Sequence, residues 1–151
     1  MSLTLSFITG SSTVIVEAFE NDDYDLFYDS IEKEADFSLH IQPRDLQILS
    51  LCASEFNGKK PLNLKKQMTV LLDEEEKGLF SIDNKWVDYI SAIPLDKNKE
   101  LCNKWFEEMN KKYPKEQIDL TEEAIETIED LISLCRFCID NKKELFHYWE
   151  L

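Results

Sequence analysis

Residues Leu120 to Leu151 have the sequence LTEEAIETIEDLISLCRFCIDNKKELFHYWEL, which predicts one long helix followed directly by a strand. Thr121 is a suitable N-cap, and the glutamates after it lie in the first turn, where the free backbone N–H groups stabilise carboxylates. The apolar residues that then recur at helical spacing are Ile125, Ile128, Ile132, Cys135 and Ile139. Further apolar residues make the last two turns hydrophobic nearly all round, so we expect this helix to be buried at the centre of the domain. The aromatic-rich segment from Leu145 to Leu151 is typical of a strand.

In the first third of the chain, the sequence patterns predict two strands, then one helix, then a further strand. Two β-branched and aromatic runs, Leu3 to Ile8 and Thr13 to Phe19, are separated by Thr9-Gly10-Ser11-Ser12, which favours a β-hairpin. From Asn21 to Lys33 the apolar residues recur at helical spacing, which predicts an amphipathic helix with one acidic face. The alternation of apolar and polar residues from Phe37 to Ile41 predicts a further strand.

The second half adds a hairpin and more helices. The predicted elements are a helix from Leu46 to Phe56, strands at Met68 to Leu72 and Leu79 to Ile82, a short helix capped by Asp83 or Asn84 and ended by Pro94, and a helix from Asp96 to Lys112. Together these elements predict an α+β fold: a mainly antiparallel sheet of five or six short strands, with about five helices packed against it. The long C-terminal helix is expected at its centre.

Length and charge narrow the class of protein. The chain has 151 residues and a hydrophobic content of 43%, enough for one core, so we expect residues 1–151 to form a single domain. It carries 17 basic and 31 acidic residues, a net charge of −14. Such a charge argues against binding to nucleic acid or to an anionic membrane and favours a basic protein as partner. Without a secretion signal or a membrane-spanning run, the sequence predicts a cytoplasmic protein.

No motif predicts a cofactor, a metal or a catalytic residue. Cys135 and Cys138 have the spacing of a metal or redox site, but they lie inside a helix, so we expect them to pack in the core as free thiols. Cys52 and Cys102 also fall on apolar helix faces, and no loop would bring four cysteines to one zinc ion. The two histidines, His40 and His147, both fall in predicted strands.

The strongest functional signal is the acidic segment from Glu17 to Asp36. Its twenty residues contain nine carboxylates and one lysine. Carboxylates that repel each other along a helix, or that lie at its C-terminal end, cost a few tenths of a kcal/mol each, so folding alone does not favour this pattern. Tyrosines beside a charged face are frequent anchors of protein interfaces. The predicted partner-binding residues are Asp22, Asp23, Tyr24, Asp25, Tyr28, Asp29 and Glu32.

Three functions follow from these patterns. The first is a non-catalytic binding protein whose acidic helix docks on a basic protein surface, in the manner of an immunity protein or antitoxin that inhibits a toxic enzyme. The second is a small enzyme or ligand-binding domain with a pocket formed by His40 or His147 and a carboxylate. The third is a structural or regulatory homodimer that pairs through the C-terminal strand, with Phe146, Tyr148 and Trp149 along an edge. The segment from Lys59 to Lys66, which has four lysines and no acid, is expected to be a solvated loop.

Overall fold

The computed structural model describes residues 3–151 and contains one antiparallel sheet surrounded by helices. The strands are β1 (Thr4–Gly10), β2 (Ile31–Asp36), β3 (Met68–Asp73), β4 (Lys77–Ile82) and β5 (Leu145–Glu150). Their order in the sheet is β2-β1-β5-β4-β3, and every neighbouring pair is antiparallel. The helices are α1 (Ser12–Glu20), α2 (Tyr24–Asp29), α3 (Pro43–Cys52), α4 (Ser54–Asn57), α5 (Asn84–Ser91), α6 (Asn98–Lys112) and α7 (Glu122–Asn141). The predicted α+β fold with a long C-terminal helix is therefore confirmed.

The C-terminal segment forms the predicted helix and strand. The Thr121 side chain accepts a hydrogen bond from the backbone N–H of Ala124, at 3.1 Å, and caps α7. Lys142 ends the helix in the left-handed conformation, with φ at 53°. Strand β5 then lies in the middle of the sheet, between β1 and β4. The prediction that this aromatic strand is an edge for dimerisation is wrong, because both of its sides are already paired.

The sheet buries apolar side chains on both faces. On the first, here called the helix-rich face, Leu5, Phe7 and Leu145 pack with α3, α5, α6 and α7. On the second, here called the α2 face, Phe146 and Tyr148 pack with α1 and α2 in a smaller core. Successive residues of a strand point to opposite faces, so β1 and β5 contribute to both cores.

The predicted N-terminal hairpin is wrong, because Thr13 to Phe19 lies in helix α1 rather than in a strand. Within α1, the buried residues Ile15, Ala18 and Phe19 have helical spacing, and their contact with the α2 face overrides the strand preference of the β-branched run. The strands that pair with β1 are β2 and β5 instead. A Cβ atom on Gly10 would lie 2.1 Å from the backbone oxygen of Ser30, so only glycine allows this approach.

The segment from Asn21 to Ile41 also differs from the prediction. The predicted helix from Asn21 to Lys33 is shortened to α2, which ends at Asp29, because Ile31 begins β2 beside β1. The predicted strand from Phe37 to Ile41 is absent, since the chain turns after Asp36. The side chain of Asp36 accepts a hydrogen bond from the Ser38 N–H at 2.9 Å in this turn.

The remaining elements follow the prediction. The hairpin of β3 and β4 and the helices α3, α5 and α6 lie where the sequence patterns place them. Asp83 caps α5 by accepting a hydrogen bond from the backbone N–H of Lys85 at 2.8 Å. No helix in residues 3–151 is both long enough and apolar enough to cross a membrane.

Candidate functional site

Helix α2 carries most of the predicted partner-binding residues, and three features hold it on the sheet. Asp22 takes the left-handed backbone conformation, with φ at 57°, which turns the chain from α1 into α2. The Asp23 carboxylate then accepts a hydrogen bond from the backbone N–H of Leu26 at 3.3 Å and caps the helix. Phe27 is fully buried, and its ring lies 5.0 Å from that of Phe19 and 5.1 Å from that of Tyr148. The helix is short, so tertiary contacts rather than propensity stabilise it.

A buried lysine fixes the turn before α2. Lys77, at the start of β4, is 5% exposed, and its ammonium donates to the backbone oxygen of Phe19 and to the carboxylate of Asp22, each at 2.5 Å. The ammonium also lies 4.7 Å from the centre of the Phe19 ring, a cation–π contact. Hydrogen bonding and the charge of Lys77 lower the pKa of Asp22. Asp22 is therefore held in an ion pair within the chain.

The outer side of α2 displays two aromatic rings. Tyr24 and Tyr28 are 39% and 46% exposed, and their rings stack with centroids 6.5 Å apart. Leu26, between them in sequence, is 45% exposed. Asp25 and Asp29 are exposed on the same helix, and neither forms a salt bridge with any residue from 3 to 151. An aromatic surface with unneutralised carboxylates beside it suits a cationic partner.

The predicted set of carboxylates does not lie on one helical face. Asp22 precedes α2 and pairs with Lys77, while Glu32 lies in β2 and pairs with Lys143 at 3.3 Å. Among residues 3–151, no salt bridge joins the acidic segment to the lysines between Lys59 and Lys66. The exposed and unneutralised part of the predicted site is thus centred on α2 itself.

Sequence reasoning missed a second group of polar residues, which meets Tyr28 on the α2 face of the sheet. The hydroxyl of Tyr28 donates to the carboxylate of Glu150 on β5. The hydroxyl of Ser6 donates to Glu34 at 2.9 Å, across the pairing of β1 and β2. Tyr148, which is buried on β5, affects the pKa of both Tyr28 and Glu34. Chain segments far apart in sequence therefore converge at this corner of the sheet.

The pKa values of Glu34 and Tyr28 in this corner are shifted because both side chains are partly buried. Desolvation raises the pKa of Glu34, and the hydrogen bond from Ser6 opposes this effect. Burial and the neighbouring Glu150 carboxylate raise the pKa of Tyr28 to about 12, so its hydroxyl stays protonated at neutral pH. The corner thus combines carboxylates, which accept hydrogen bonds, with neutral phenols. We call the surface formed by these exposed and partly exposed side chains the α2 surface; its residues are Tyr24, Asp25, Tyr28, Asp29, Glu34 and Glu150.

The cysteines occupy core positions, as expected. All four are buried free thiols. Burial raises the pKa of Cys135 well above its usual range and also raises the pKa of Cys138. A thiol that resists ionisation is a poor nucleophile and a poor redox group. Among the residues that the structure describes, no three His, Cys, Asp or Glu side chains are grouped so that they could hold a metal ion.

The two histidines have different environments. His147 lies in β5, is 3% exposed, and has its Nδ1 atom 2.9 Å from the backbone oxygen of Ser6. Burial lowers the pKa of His147 to about 4, so the ring is neutral and packed between Phe7 and Phe80. His40 is exposed in a loop, not in the predicted strand, and has a left-handed backbone with φ at 62°.

His40 also lines a small pocket of about 170 Å³. The pocket includes Asp45 and Glu116, so a histidine and two carboxylates share one cavity. The Asp45 carboxylate already accepts a hydrogen bond from the Gln42 N–H at 2.8 Å in the cap of α3. Glu116 pairs with Arg44, whose guanidinium stacks 3.6 Å from the centre of the Tyr113 ring. Both carboxylates therefore have structural partners.

A larger cleft, of about 670 Å³, lies between the N-terminus of α5 and the C-terminus of α7. It is lined by residues of both charge signs, including Asp88, Lys142 and Glu144. The two carboxylate oxygens of Glu144 accept hydrogen bonds from Ser12 at 3.0 Å and from Ser81 at 2.6 Å. Glu144 thereby ties β4 to α1, which is a structural role.

Fold and surface together define an α+β protein with an acidic and aromatic corner on a five-stranded antiparallel sheet. The chain is similar to a protein of unknown function, YfbM, from Escherichia coli, with a TM-score of 0.47 and 17% sequence identity. The aligned region covers 97% of this chain and 99% of that crystal structure's chain. No family model and no curated protein matches the sequence. A function must therefore be inferred from this chain's own residues.

Proposed function

We propose that this is a non-catalytic acidic binding protein, which docks its α2 surface on a basic protein. The observation that carries the proposal is the pair of stacked, exposed tyrosines, Tyr24 and Tyr28, on the helix that also displays Asp25 and Asp29. Aromatic side chains supply contact area at low entropic cost, and carboxylates around them give specificity and fast association.

The energetics of α2 support a partner of opposite charge. Asp25 and Asp29 are four residues apart in the helix, so they repel each other by a few tenths of a kcal/mol. Asp29 also lies at the C-terminal end, where the helix dipole disfavours a carboxylate. These costs are small for each residue, but a cationic partner would reverse their sign. Glu34 and Glu150 extend the same negative surface onto the sheet.

The kind of partner that we propose is a toxic enzyme that acts on nucleic acid, which this protein would inhibit as an immunity protein or antitoxin does. An enzyme of that kind presents a cationic groove to the phosphate backbone. A rigid array of carboxylates can occupy the positions of the phosphates, and the net charge of −14 would steer the encounter. Inhibition by occupancy requires no active site. A cytoplasmic location is part of this proposal.

The test is a pull-down from the native host with the full chain as bait, at low and at high salt. We expect a basic protein that is retained at low salt and released as the salt concentration rises, because screening weakens contacts between exposed charges. Asp25→Asn combined with Asp29→Asn should reduce its retention. Glu126→Gln combined with Asp140→Asn is the matched control, since it removes two exposed charges from α7.

Two results would contradict the proposal. One is that no basic protein is retained at low salt by the wild-type chain. The other is that the α2 variant and the α7 variant lose retention equally, which would show that only the total charge matters. Tyr28→Ala should also reduce retention while keeping both aspartates, so it separates the contribution of the ring from that of the charge.

A second proposal, a small enzyme or ligand-binding domain, now depends on His40, because His147 is packed in the core. The observation in its favour is the pocket that His40 shares with Asp45 and Glu116. His40→Ala distinguishes the two proposals. If the pocket carries the function, this substitution abolishes the protein's activity in its host; if the α2 surface carries it, capture of the basic partner is unchanged.

A further inference from the structure

The two edges of the sheet have opposite character. The β2 edge has the sequence IEKEAD, and α7 supports it through the Thr127 hydroxyl, which donates to the backbone oxygen of Asp36 at 3.1 Å. Charged residues on an edge strand prevent further strands from adding to the sheet. The β3 edge has the sequence MTVLLD, in which Val70 is 57% exposed. Within residues 3–151, β3 pairs only with β4, so its outer side is unpaired.

The hydrogen-bonding pattern shows which groups that outer side presents. The backbone oxygen of Gln67 accepts a hydrogen bond from the N–H of Asp83 at 2.8 Å, so this pair bonds across the hairpin. Bonded and non-bonded pairs alternate along an antiparallel ladder. The backbone N–H and C=O groups of Met68 and Val70 therefore point away from β4. The side chain of Val70 lies opposite Phe80, on the helix-rich face, and both side chains remain partly exposed.

Charges of opposite sign flank this apolar edge. Lys65 and Lys66 precede β3, while Asp73 ends it and is followed by three glutamates. All of these side chains are exposed, and none forms a salt bridge with any residue in the described part of the chain. The pattern is self-complementary about Val70, because Lys66 lies four residues before it and Glu74 lies four residues after it.

We propose that β3 pairs antiparallel with β3 of a second copy of this chain, so that the two five-stranded sheets join across a twofold axis. In this arrangement the lysines of each copy lie beside the acidic turn of the other, at both ends of the interface. A twofold interface uses the same patch twice, which is what a self-complementary segment provides. The bulge between Val70 and Leu72 interrupts the regular ladder, so the pairing is centred near Val70 and is short.

Charge complementarity favours a second copy of this chain over an unrelated strand as the partner of β3. Each copy carries a net charge of −14, so two copies repel each other overall. The lysines of one copy, however, attract the acidic residues of the other copy. Val70 lies on the helix-rich face and the α2 surface on the opposite face, and the two surfaces approach each other at the acidic turn, where Lys77 lies 5.8 Å from the centre of the Tyr24 ring. The inference does not depend on the proposed function.

The first test is sedimentation of the full chain over roughly a hundredfold range of concentration, since dimerisation follows mass action. We expect the wild-type chain to change from monomer to dimer across that range. Val70→Asp places a charge on the edge and should abolish the dimer, with an unchanged circular dichroism spectrum. Ile139→Asp is the control, because Ile139 is also exposed, at 44%, but lies on α7. A wild-type chain that remains monomeric at every concentration overturns the inference.

The second test exchanges the charges. Lys65→Glu with Lys66→Glu should weaken the dimer by about tenfold or more, and so should Glu74→Lys with Glu75→Lys, because each places like charges together. Mixing the two variants should give a heterodimer, because opposite charges then meet at both ends of the interface, and combining all four substitutions in one chain should restore the homodimer. A combined variant that is weaker than either parent contradicts the antiparallel pairing. Capture of a basic partner by Val70→Asp tests the proposed function independently.

Discussion

The two faces of the sheet share the same strands but differ in the size of the core that they bury and in their polarity. On the helix-rich face, four helices cover Leu5, Phe7 and Leu145, and large rings such as Trp86 and Trp105 fill the space between them. On the α2 face, two short helices cover a much smaller core. Beyond α2 this face becomes polar, with Ser6, Glu34 and Glu150 around the hydroxyl of Tyr28.

The difference separates the face that contributes most of the stability from the face that carries the proposed binding surface. Burial of apolar area is the main stabilising term, and most of that area lies on the helix-rich face. The α2 face contributes less and can therefore tolerate exposed rings and carboxylates that folding does not favour. Substitutions on the two faces should consequently affect different measurements.

The largest expected effect is on the helix-rich face. Trp105 is fully buried, its ring centre is 5.2 Å from that of Phe106, and its indole N–H donates to the backbone oxygen of Asp45 at 2.8 Å. Trp105→Ala should lower the free energy of unfolding by about 3–5 kcal/mol, since it leaves a cavity and an unpaired oxygen. Urea unfolding measures this change. Trp105→Phe, which keeps most of the volume, should cost clearly less; an equal loss would mean that the hydrogen bond to Asp45, and not the buried volume, accounts for the effect.

The corresponding substitution on the α2 face is Phe27→Ala. Phe27 packs between Phe19 and Tyr148, so we expect a loss of about 3 kcal/mol, at the lower end of the range for such residues. Because Phe27 is the one buried residue of α2, its loss should also release the helix from the sheet. Hydrogen exchange should then increase in residues 22–30 but not in α7. Uniform exchange throughout the chain would mean that the two faces are not separable.

Local signals predicted the second half of the chain because they agree with its packing. Thr121 and Asp83 cap their helices as expected, and the apolar spacing of α7 matches its buried face. The segment from Thr13 to Phe19 was predicted wrongly because a β-branched run favours strands, whereas packing against the α2 face requires a helix. The close approach of Gly10 to Ser30, which pairs β1 with β2, has no local signal in the sequence.

The candidate site was predicted in part for the same reason. Tyr24, Asp25, Tyr28 and Asp29 share one short helix, so spacing alone placed them together. Glu150 is 122 residues from Tyr28 in the chain, and only the fold brings them into contact. Strand alternation does place Tyr148 and Glu150 on one face of β5, which was the available signal for this corner of the sheet.

A smaller effect is expected from Asp22, whose ion pair with Lys77 fixes the turn before α2. Lys77 lowers the pKa of Asp22 in the folded state, while the unfolded value is about 3.9. A lowered pKa means that the unfolded chain binds more protons, so this pair stabilises the fold above about pH 4 and loses its effect as the pH falls through the folded value. Asp22→Asn should therefore be less stable than wild type at neutral pH, with the difference vanishing in acid. Urea midpoints over a pH series measure it, and a difference that does not depend on pH contradicts the ion pair.

The smallest effect, with the opposite sign, is expected from Glu34 at the polar end of the same face. Partial burial raises the pKa of Glu34 above its ordinary value, so the folded chain binds more protons than the unfolded chain between the two values. Stability therefore decreases as the pH rises through that interval, and the full cost is present at neutral pH. Glu34→Gln keeps an acceptor for Ser6 and removes the charge, so it should be slightly more stable than wild type near pH 7 and equal to it in acid. If it also binds the basic partner more weakly, the cost of burying this carboxylate is linked to recognition; if binding is unchanged, the contact surface ends at α2 and does not include the sheet.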